Sequence, residues 1–183
     1  IIQTLKDNGL YENTIIIFAG DNGLAVGQHG LMGKQNVYEH SVGVPLMIKA
    51  AAQHTGKKTA DLCYLIDVFP TLCDMLQLPV PQSVDGISLL SSLDGKEPVR
   101  DYLYYSYMDN QRGISDGTWK LIEYHVNGKR TTQLFNLKND PWERNDLSGQ
   151  KKYEKTIQRL REKMAEEQKR TNDTSVFWNN FSY

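Results

Sequence analysis

Residues 13–50 of the chain, NTIIIFAGDNGLAVGQHGLMGKQNVYEHSVGVPLMIKA, decide its fold. Two apolar runs with strand character, 14–19 and 44–48, enclose a polar loop that is rich in glycine. The first run is apolar throughout and rich in β-branched residues, which is typical of a parallel strand covered on both faces. In open α/β sheets ligands bind beyond the carboxyl ends of such strands. We therefore expect a ligand site in this loop.

Asp21 and Asn22 follow the first apolar run directly, within the sequence Gly-Asp-Asn-Gly. Carboxylate and amide oxygens in this place suit a hard divalent cation. A β-turn is the alternative, because Asp-Asn-Gly is also a common turn sequence. Ca²⁺ takes roughly 6–8 oxygen ligands and Mg²⁺ roughly 6. Since the chain has no second acidic cluster, we expect the remaining ligands to come from elsewhere.

The same loop carries Lys34 and His29. A bound cation together with a lysine indicates a site for an anionic ester, where positive charge stabilises the negative charge that develops during reaction. The alternative for Lys34 is a solvated surface lysine, and the alternative for His29 is a brace that hydrogen-bonds to a backbone carbonyl. We assign no role to His40, and we expect His54 and His125 at the surface.

The rest of the chain predicts one short helix, a small sheet and one long helix. The short helix covers 68–76, with Asp67 as its N-cap and Pro70 in its first turn. Asp-Gly and Asn-Gly pairs separate strand-like runs between 100 and 137, which predicts an antiparallel sheet. Its strands are Tyr102–Met108, Arg112–Ser115, Trp119–Tyr124 and Gln133–Asn136. Residues 151–170 predict an amphipathic helix whose apolar stripe is Tyr153, Ile157, Leu160 and Met164.

This order of elements predicts an α/β fold in two parts. Residues 1–98 form the C-terminal part of a larger α/β domain with the metal-binding loop, and residues 99–183 form a subdomain. The subdomain ends in an aromatic tail that we expect to dock elsewhere; it contains Phe177, Trp178, Phe181 and Tyr183. The first residues indicate the last turns of a helix, so we expect a longer protein. A sheet cut in this way exposes apolar surface, which predicts self-association of the isolated chain.

Composition excludes some classes of function. The net charge is −1, with 39% apolar and 23% charged residues, which gives no electrostatic case for nucleic acid or a membrane surface. No run approaches the roughly 18 apolar residues of a membrane span. Cys63 and Cys73 are too few for a disulfide framework and lie in apolar settings, so we expect free, buried thiols rather than a bridge.

Residues 21–48, DNGLAVGQHGLMGKQNVYEHSVGVPLMI, resemble the sulfatase family of the alkaline phosphatase-like superfamily. Weaker likenesses to the family occur at Asp67–Leu72, Asp85–Leu90, Trp119–Ile122 and Leu134–Leu147. The resemblance implies an alkaline phosphatase-like α/β sheet followed by a small α+β subdomain. It also implies hydrolysis of a sulfate ester on a carbohydrate or aryl alcohol, in a periplasmic, secreted or lysosomal protein. A divalent cation is implied as well, with Ca²⁺ as the first choice and Mg²⁺ as the alternative.

By this resemblance Asp21 and Asn22 are metal ligands, and Lys34 is the catalytic residue that contacts the sulfate. His29 is implied near the substrate. The C-terminal subdomain borders the pocket in this family, so the resemblance also leaves a substrate contact open for His125, which we otherwise expect at the surface. Sulfatases also use a formylglycine made within a Cys/Ser-x-Pro/Ala-x-Arg motif, and no cysteine or serine of this chain opens such a motif. We therefore expect the nucleophile outside the chain, and we expect the isolated chain to be inactive.

Two alternative functions remain open from the sequence. A phosphodiesterase or phosphonate hydrolase of the same superfamily shares the metal-binding loop. A non-catalytic binding module is the alternative from a different class, and saccharide binding that survives loss of Asp21 and Lys34 favours it. The expected partner is a sulfated small molecule or glycan, with no nucleic acid and no membrane span. The identity of that compound does not follow from the sequence, because scattered loops build specificity pockets.

Overall fold

The computed structural model describes residues 1–50, 56 and 58–175. Contacts divide the chain into two compact units. The first contains Ile1–Asp21 and Val44–Arg100, and the second contains Asn22–Gly43 and the chain from Asp101 onward. The helices are α1 (Ile2–Asp7), α2 (Glu39–Val42), α3 (Val68–Met75), α4 (Leu90–Leu93) and α5 (Glu154–Arg170). The strands are β1 (Ile16–Ala19), β2 (Ala25–Val26), β3 (Met32–Gly33), β4 (Leu46–Lys49), β5 (Leu103–Tyr107), β6 (Gln111–Ser115), β7 (Trp119–Val126) and β8 (Lys129–Asn136).

The first unit contains a pair of short strands, β1 and β4. They pair antiparallel, from Ile16 opposite Lys49 to Ala19 opposite Leu46. The expected parallel arrangement is wrong for the residues that the structure describes, where every strand pair is antiparallel. A parallel pair needs a crossover connection, usually a long helix, whereas the one α-helix between these strands is the one-turn helix α2. Full burial of β1 is also wrong, because Phe18 is 57% exposed.

Helix α3 confirms the predicted helix with Asp67 at its N-cap position, but the Asp67 side chain makes no capping hydrogen bond. The Asp67 carboxylate is fully buried and accepts hydrogen bonds from both terminal nitrogens of Arg100, each at 2.7 Å. It also accepts the backbone N–H groups of Tyr64 at 2.7 Å and Ile87 at 2.8 Å. A buried charge needs such partners, since an unpaired one is strongly destabilising. Asp67 therefore joins three segments of the first unit.

The second unit is built on the meander β5-β6-β7-β8. Its strands confirm the predicted antiparallel sheet, and β7 and β8 are longer than predicted because their two-residue turn continues the ladder to Val126 opposite Lys129. In that turn Asn127 and Gly128 have φ of 51° and 74°. Both lie in the left-handed region that a two-residue hairpin requires. The Asn-Gly signal in the sequence is thus confirmed.

Both faces of this sheet are covered. On one face α5 packs Ile157, Leu160 and Met164 against the sheet, as the amphipathic pattern predicts; the buried strand residues are Tyr104, Ile114, Leu121 and Leu134. On the other face residues of the loop 22–43 pack against the sheet, and this cluster contains Val37, Tyr38, Ile122 and Phe135. The sheet therefore supports the loop that carries His29 and Lys34.

Several expectations have simple outcomes. Cys63 and Cys73 are free thiols, of which Cys73 is buried and Cys63 half-buried, where burial raises the pKa of the thiol. No helix in the described part of the chain is long and apolar enough to cross a membrane.

His54 and the aromatic tail at Phe177, Trp178, Phe181 and Tyr183 lie outside the described residues. Contacts group residues 22–43 with the second unit, whereas the sequence assigns them to domain 1–98; those domain bounds stay a prediction.

Candidate functional site

The candidate site begins where β1 ends, at Asp21 and Asn22. Both side chains are exposed. The Asn22 Nδ2 group donates to the carbonyl oxygen of Gly23 at 2.8 Å, which fixes the orientation of the amide. Its Oδ1 atom, the oxygen that a hard cation would bind, therefore lies at the opposite end of the amide from that contact. Asp21 is in the first unit, and Asn22 is in the second together with His29 and Lys34.

Gly23 holds the start of the loop close to another backbone segment. Its N–H donates to the carbonyl oxygen of Ser41 at 2.9 Å. A Cβ atom at this position would lie 2.0 Å from the carbonyl oxygen of His40, which is far inside contact distance. Only glycine therefore fits between Asn22 and the segment that contains α2.

His29 is held by a stacked ring and by a backbone carbonyl. Its imidazole is parallel to the Tyr38 ring, with centroids 4.0 Å apart and an interplanar angle of 5°. Its Nε2 atom lies 3.2 Å from the carbonyl oxygen of Trp142. Because a carbonyl only accepts, Nε2 carries the hydrogen and Nδ1 is the nitrogen that can meet a substrate. The hydrogen-bonding brace considered for His29 is thus present, and it leaves one ring nitrogen for binding.

Next to His29 lies an open pocket of about 600 Å³ within the second unit. The Tyr38 hydroxyl donates to Gln133 Oε1 at 2.7 Å. Burial raises the pKa of Tyr124, and its hydrogen bond with Tyr38 raises it further, so Tyr124 remains a neutral phenol at physiological pH. The lining combines apolar side chains and Lys129 with amide and hydroxyl groups, and its polar members include His29, Gln35, Asn36, Tyr38, Tyr124 and Gln133.

A buried cluster of charges holds the same loop, and no sequence pattern pointed to it. Lys120 is fully buried, and its Nζ lies 2.7 Å from Glu39 Oε1 and 3.1 Å from Glu143 Oε1. Glu143 is 1% exposed, and its Oε2 accepts the backbone N–H of Glu39 at 2.6 Å. Burial raises the pKa of Glu143, and the positive charge of Lys120 opposes that rise. The cluster joins β7, the turn at Glu143 and the first residue of α2.

Lys34 is exposed, and its side chain forms no ion pair with any residue that the structure describes. Its backbone N–H donates to Gln35 Oε1 at 3.1 Å, directly after Gly33, which has φ of 102°. The lysine therefore stands at the end of a constrained turn with its ammonium group turned to solvent. Solvation of this kind matches the surface-lysine alternative and leaves the charge accessible to an anion.

The other histidines are placed differently. The His40 ring stacks near the Tyr38 ring, with the two ring centroids 5.6 Å apart. The Nε2 atom of His40 is buried without a hydrogen-bond partner among the described residues. Burial, followed by the charges of His29 and Lys120, lowers the pKa of His40. His125 lies in β7 between Tyr124 and Val126, both of which line the pocket. Because alternate strand residues face opposite sides, His125 points away from the pocket.

The residues Asp21 and Asn22 fit a hard cation by the chemistry of their donors, one carboxylate and one amide oxygen. Among the described residues there is no group of three or more His, Cys, Asp or Glu side chains that could hold a metal ion. The assignment of these two residues as ligands stays a prediction.

The chain matches a protein-family model over residues 27–170, and that family is described as "N-sulphoglucosamine sulphohydrolase, C-terminal". It is 30% identical, over 94% of its length, to the N-acetylglucosamine-6-O-sulfatase of Bacteroides thetaiotaomicron. The aligned region is 33% of that relative. The chain thus spans about a third of the length of the curated relatives that it matches.

Solved structures agree with these matches. The structure of a protein in complex with its substrate, D-glucosamine-2-N,6-O-disulfate, superposes with a TM-score of 0.83 at 28% identity, over 94% of this chain and 37% of that one. The phosphonate monoester hydrolase of Agrobacterium radiobacter superposes with a TM-score of 0.74 at 26% identity, over 90% of this chain and 36% of that one. The similarity therefore extends along nearly the whole chain and includes more than one kind of ester hydrolase.

Proposed function

We propose that the protein that contains this chain hydrolyses sulfate esters, because the chain belongs to the sulfatase family. It matches the C-terminal portion of the N-sulphoglucosamine sulphohydrolase type. Its fold is the C-terminal part of the alkaline phosphatase-like α/β fold of that family. The proposed substrate is a sulfated saccharide, with a sulfated aryl alcohol as the alternative within the same reaction. The observation that carries the proposal is the similarity to an N-acetylglucosamine-6-O-sulfatase along 94% of the chain.

In this proposal Asp21 and Asn22 supply two oxygen ligands to a divalent cation. Ca²⁺ is preferred over Mg²⁺ on the family resemblance, and the exposed position of both side chains leaves them accessible to further ligands. The cation supplies positive charge against the sulfate oxygens when it is bound. Gly23 holds the backbone next to Asn22 by its close contact with the segment at His40 and Ser41.

Lys34 is proposed as the catalytic residue of this chain. Its ammonium group is solvated and unpaired among the described residues, so it can move onto a sulfate without breaking an internal ion pair. A charge placed where negative charge develops in the transition state accelerates the reaction. His29 is proposed as a substrate-binding residue that uses Nδ1, because the carbonyl oxygen of Trp142 occupies Nε2.

The amide and phenol groups in the pocket beside His29 support a saccharide as the substrate class. Its amide and phenol groups can donate and accept hydrogen bonds, as ring hydroxyls require. The hydrogen bond between Tyr38 and Gln133 and the stack of Tyr38 on His29 hold the lining in one arrangement. A preformed lining lowers the entropic cost of binding.

The test uses the full-length protein that contains this chain. We expect Lys34→Ala to lower kcat for a sulfate ester by roughly 10²–10³-fold, while Lys138→Ala, another exposed lysine, leaves it unchanged. Asp21→Ala should lower the content of bound divalent metal as well as activity. Wild-type activity in Lys34→Ala would overturn the catalytic assignment. The isolated 183-residue chain lacks the formylglycine motif and is the negative control, and sulfate release by it would contradict the proposal.

A phosphonate or phosphodiester hydrolase is the second candidate, because a phosphonate monoester hydrolase is among the similar structures. Parallel assays of the full-length protein with matched aryl sulfate, phosphodiester and phosphonate esters separate the two. The sulfatase proposal predicts the highest kcat/KM for the sulfate ester. A higher value for either phosphorus ester would favour the second candidate. Saccharide binding without any turnover would favour the binding module.

A further inference from the structure

A second cleft, of about 510 Å³, also lies against His29. Its walls are Gln28, His29, Trp142 and Arg144, all in the second unit. The Trp142 side chain is 65% exposed. A single exposed apolar residue is ordinary, but an indole beside a cationic side chain in a concave site has the chemistry of a binding platform. The site proposed above uses His29 and the backbone carbonyl of Trp142, but it does not use the Trp142 side chain or Arg144.

The backbone on both sides of Trp142 is held in place. Its carbonyl oxygen accepts the hydrogen bond from His29, and the next residue, Glu143, is buried against Lys120. Glu143 has φ of 55°, and its N–H donates to the carbonyl oxygen of Asp140 at 3.1 Å. The exposed indole is therefore carried by a rigid turn. A rigid aromatic offers contact area to a ligand at a low cost in conformational entropy.

Polar groups of the right kind stand beside the indole. Arg144 is exposed and forms no ion pair with any residue in the described part of the chain. A guanidinium group binds a sulfate or carboxylate through two parallel hydrogen bonds. The Oε1 atom of Gln28 accepts the N–H of Val26 at 2.6 Å, so its amide NH2 group is the end that can donate to a ligand.

We propose that the cleft formed by Gln28, His29, Trp142 and Arg144 is a binding subsite for an anionic sugar residue. The apolar face of the pyranose ring stacks on Trp142, and its sulfate or carboxylate group binds Arg144. The net charge of the chain is −1, so attraction of an anion to this place is local to Arg144 rather than a property of the whole surface. The choice of a sulfated sugar as the ligand rests on the proposed function.

The test is calorimetric titration of the 183-residue chain with three probes: a disaccharide that contains 6-O-sulfated N-acetylglucosamine, the same disaccharide without sulfate, and sodium sulfate. We expect the sulfated disaccharide to bind about tenfold more tightly than the unsulfated one, equivalent to about 1.4 kcal/mol. Trp142→Ala should weaken both sugars about tenfold, and Trp142→Phe should restore part of the loss. Arg144→Gln should abolish the preference for the sulfated sugar and leave the unsulfated one unchanged.

Lys138→Gln and Met108→Ala are matched controls, because they remove an exposed charge and an exposed apolar side chain outside the cleft. Wild-type affinities in Trp142→Ala and Arg144→Gln, or no binding of either sugar, would overturn the proposal. Equal affinities for sodium sulfate and the sulfated sugar would mean that the cleft binds an anion without sugar stacking, and this result would also overturn the proposal. These outcomes leave the test on Lys34 untouched, so the two proposals fail separately.

Discussion

Lys120 shows how one buried side chain fixes the candidate site. It has no exposed surface, and Glu39 and Glu143 surround its ammonium group. Neither pairing was predictable from the sequence, because Glu39 lies 81 residues from Lys120 and no local pattern joins them. His29, by contrast, was predictable as a candidate from its glycine-rich loop, although its carbonyl partner, 113 residues away, was not.

Replacing Lys120 with alanine should destabilise the second unit by about 3–5 kcal/mol, because Glu143 would be left as an unpaired buried charge. Urea denaturation followed by far-ultraviolet circular dichroism measures this change. Lys163→Ala is the matched control, since its ion pair with Glu166 is on the surface of α5, and we expect no measurable change there. Equal stabilities of the two variants would mean that the buried cluster contributes little.

At the scale of elements, the sequence predicts the features that depend on neighbouring residues, but it does not predict the pairings between residues far apart in the chain. The turn at Asn127 and Gly128 and the apolar stripe of α5 depend on neighbouring residues, and both were predicted. The antiparallel pairing of β1 with β4 depends on residues far apart in the chain, and it was not. The role of Asp67 also depends on a distant residue. Its carboxylate pairs with Arg100, 33 residues away, instead of making the predicted capping hydrogen bond to α3.

The turn between β6 and β7 should make stability depend on pH through Asp116. Burial alone would raise the pKa of this carboxyl, but hydrogen bonds from the backbone N–H groups of Trp119 and Thr118 and from Arg159 outweigh burial and lower it. A lowered pKa in the folded state stabilises the fold above the unfolded pKa of about 3.9. That stability is lost as the pH falls through the folded pKa.

We therefore expect Asp116→Asn to be less stable than wild type by about 1–2 kcal/mol at pH 7. The difference should shrink as the pH falls below about 4, because the carboxyl of the unfolded wild type is protonated first and that of the folded wild type only at lower pH. Urea denaturation at several pH values between 2 and 7 measures it. A difference that stays constant over this range would show that the ionised carboxylate is not the source of the stability.

The whole molecule has apolar surface that its described residues leave open. Phe18 and Met47 face each other across β1 and β4, and they are 57% and 58% exposed. A short strand pair with such residues is a natural place for further packing. The sequence does not predict which other strands pair with β1 and β4, because it spans about a third of the length of its relatives.

We expect the isolated 183-residue chain to self-associate through this surface. Light scattering after size-exclusion chromatography should give a mass above that of one chain, 20.9 kDa, and the mass should rise with concentration. The double variant Phe18→Ser, Met47→Ser should shift the chain toward the monomer. Val126→Ser, a change at another exposed apolar residue, is the control. A monomer at all concentrations would contradict the prediction.

The placement of the loop 22–43 has a consequence for synthesis on the ribosome. The loop packs in the second unit, where Tyr38 bonds to Gln133, 95 residues later, and Glu39 bonds to Glu143, 104 residues later. At about 5–20 residues per second, translation reaches these partners on the order of 5–20 s after the loop is made. During that interval the nascent loop is without the sheet that shapes it, so the candidate site is one of the last parts of the chain to mature.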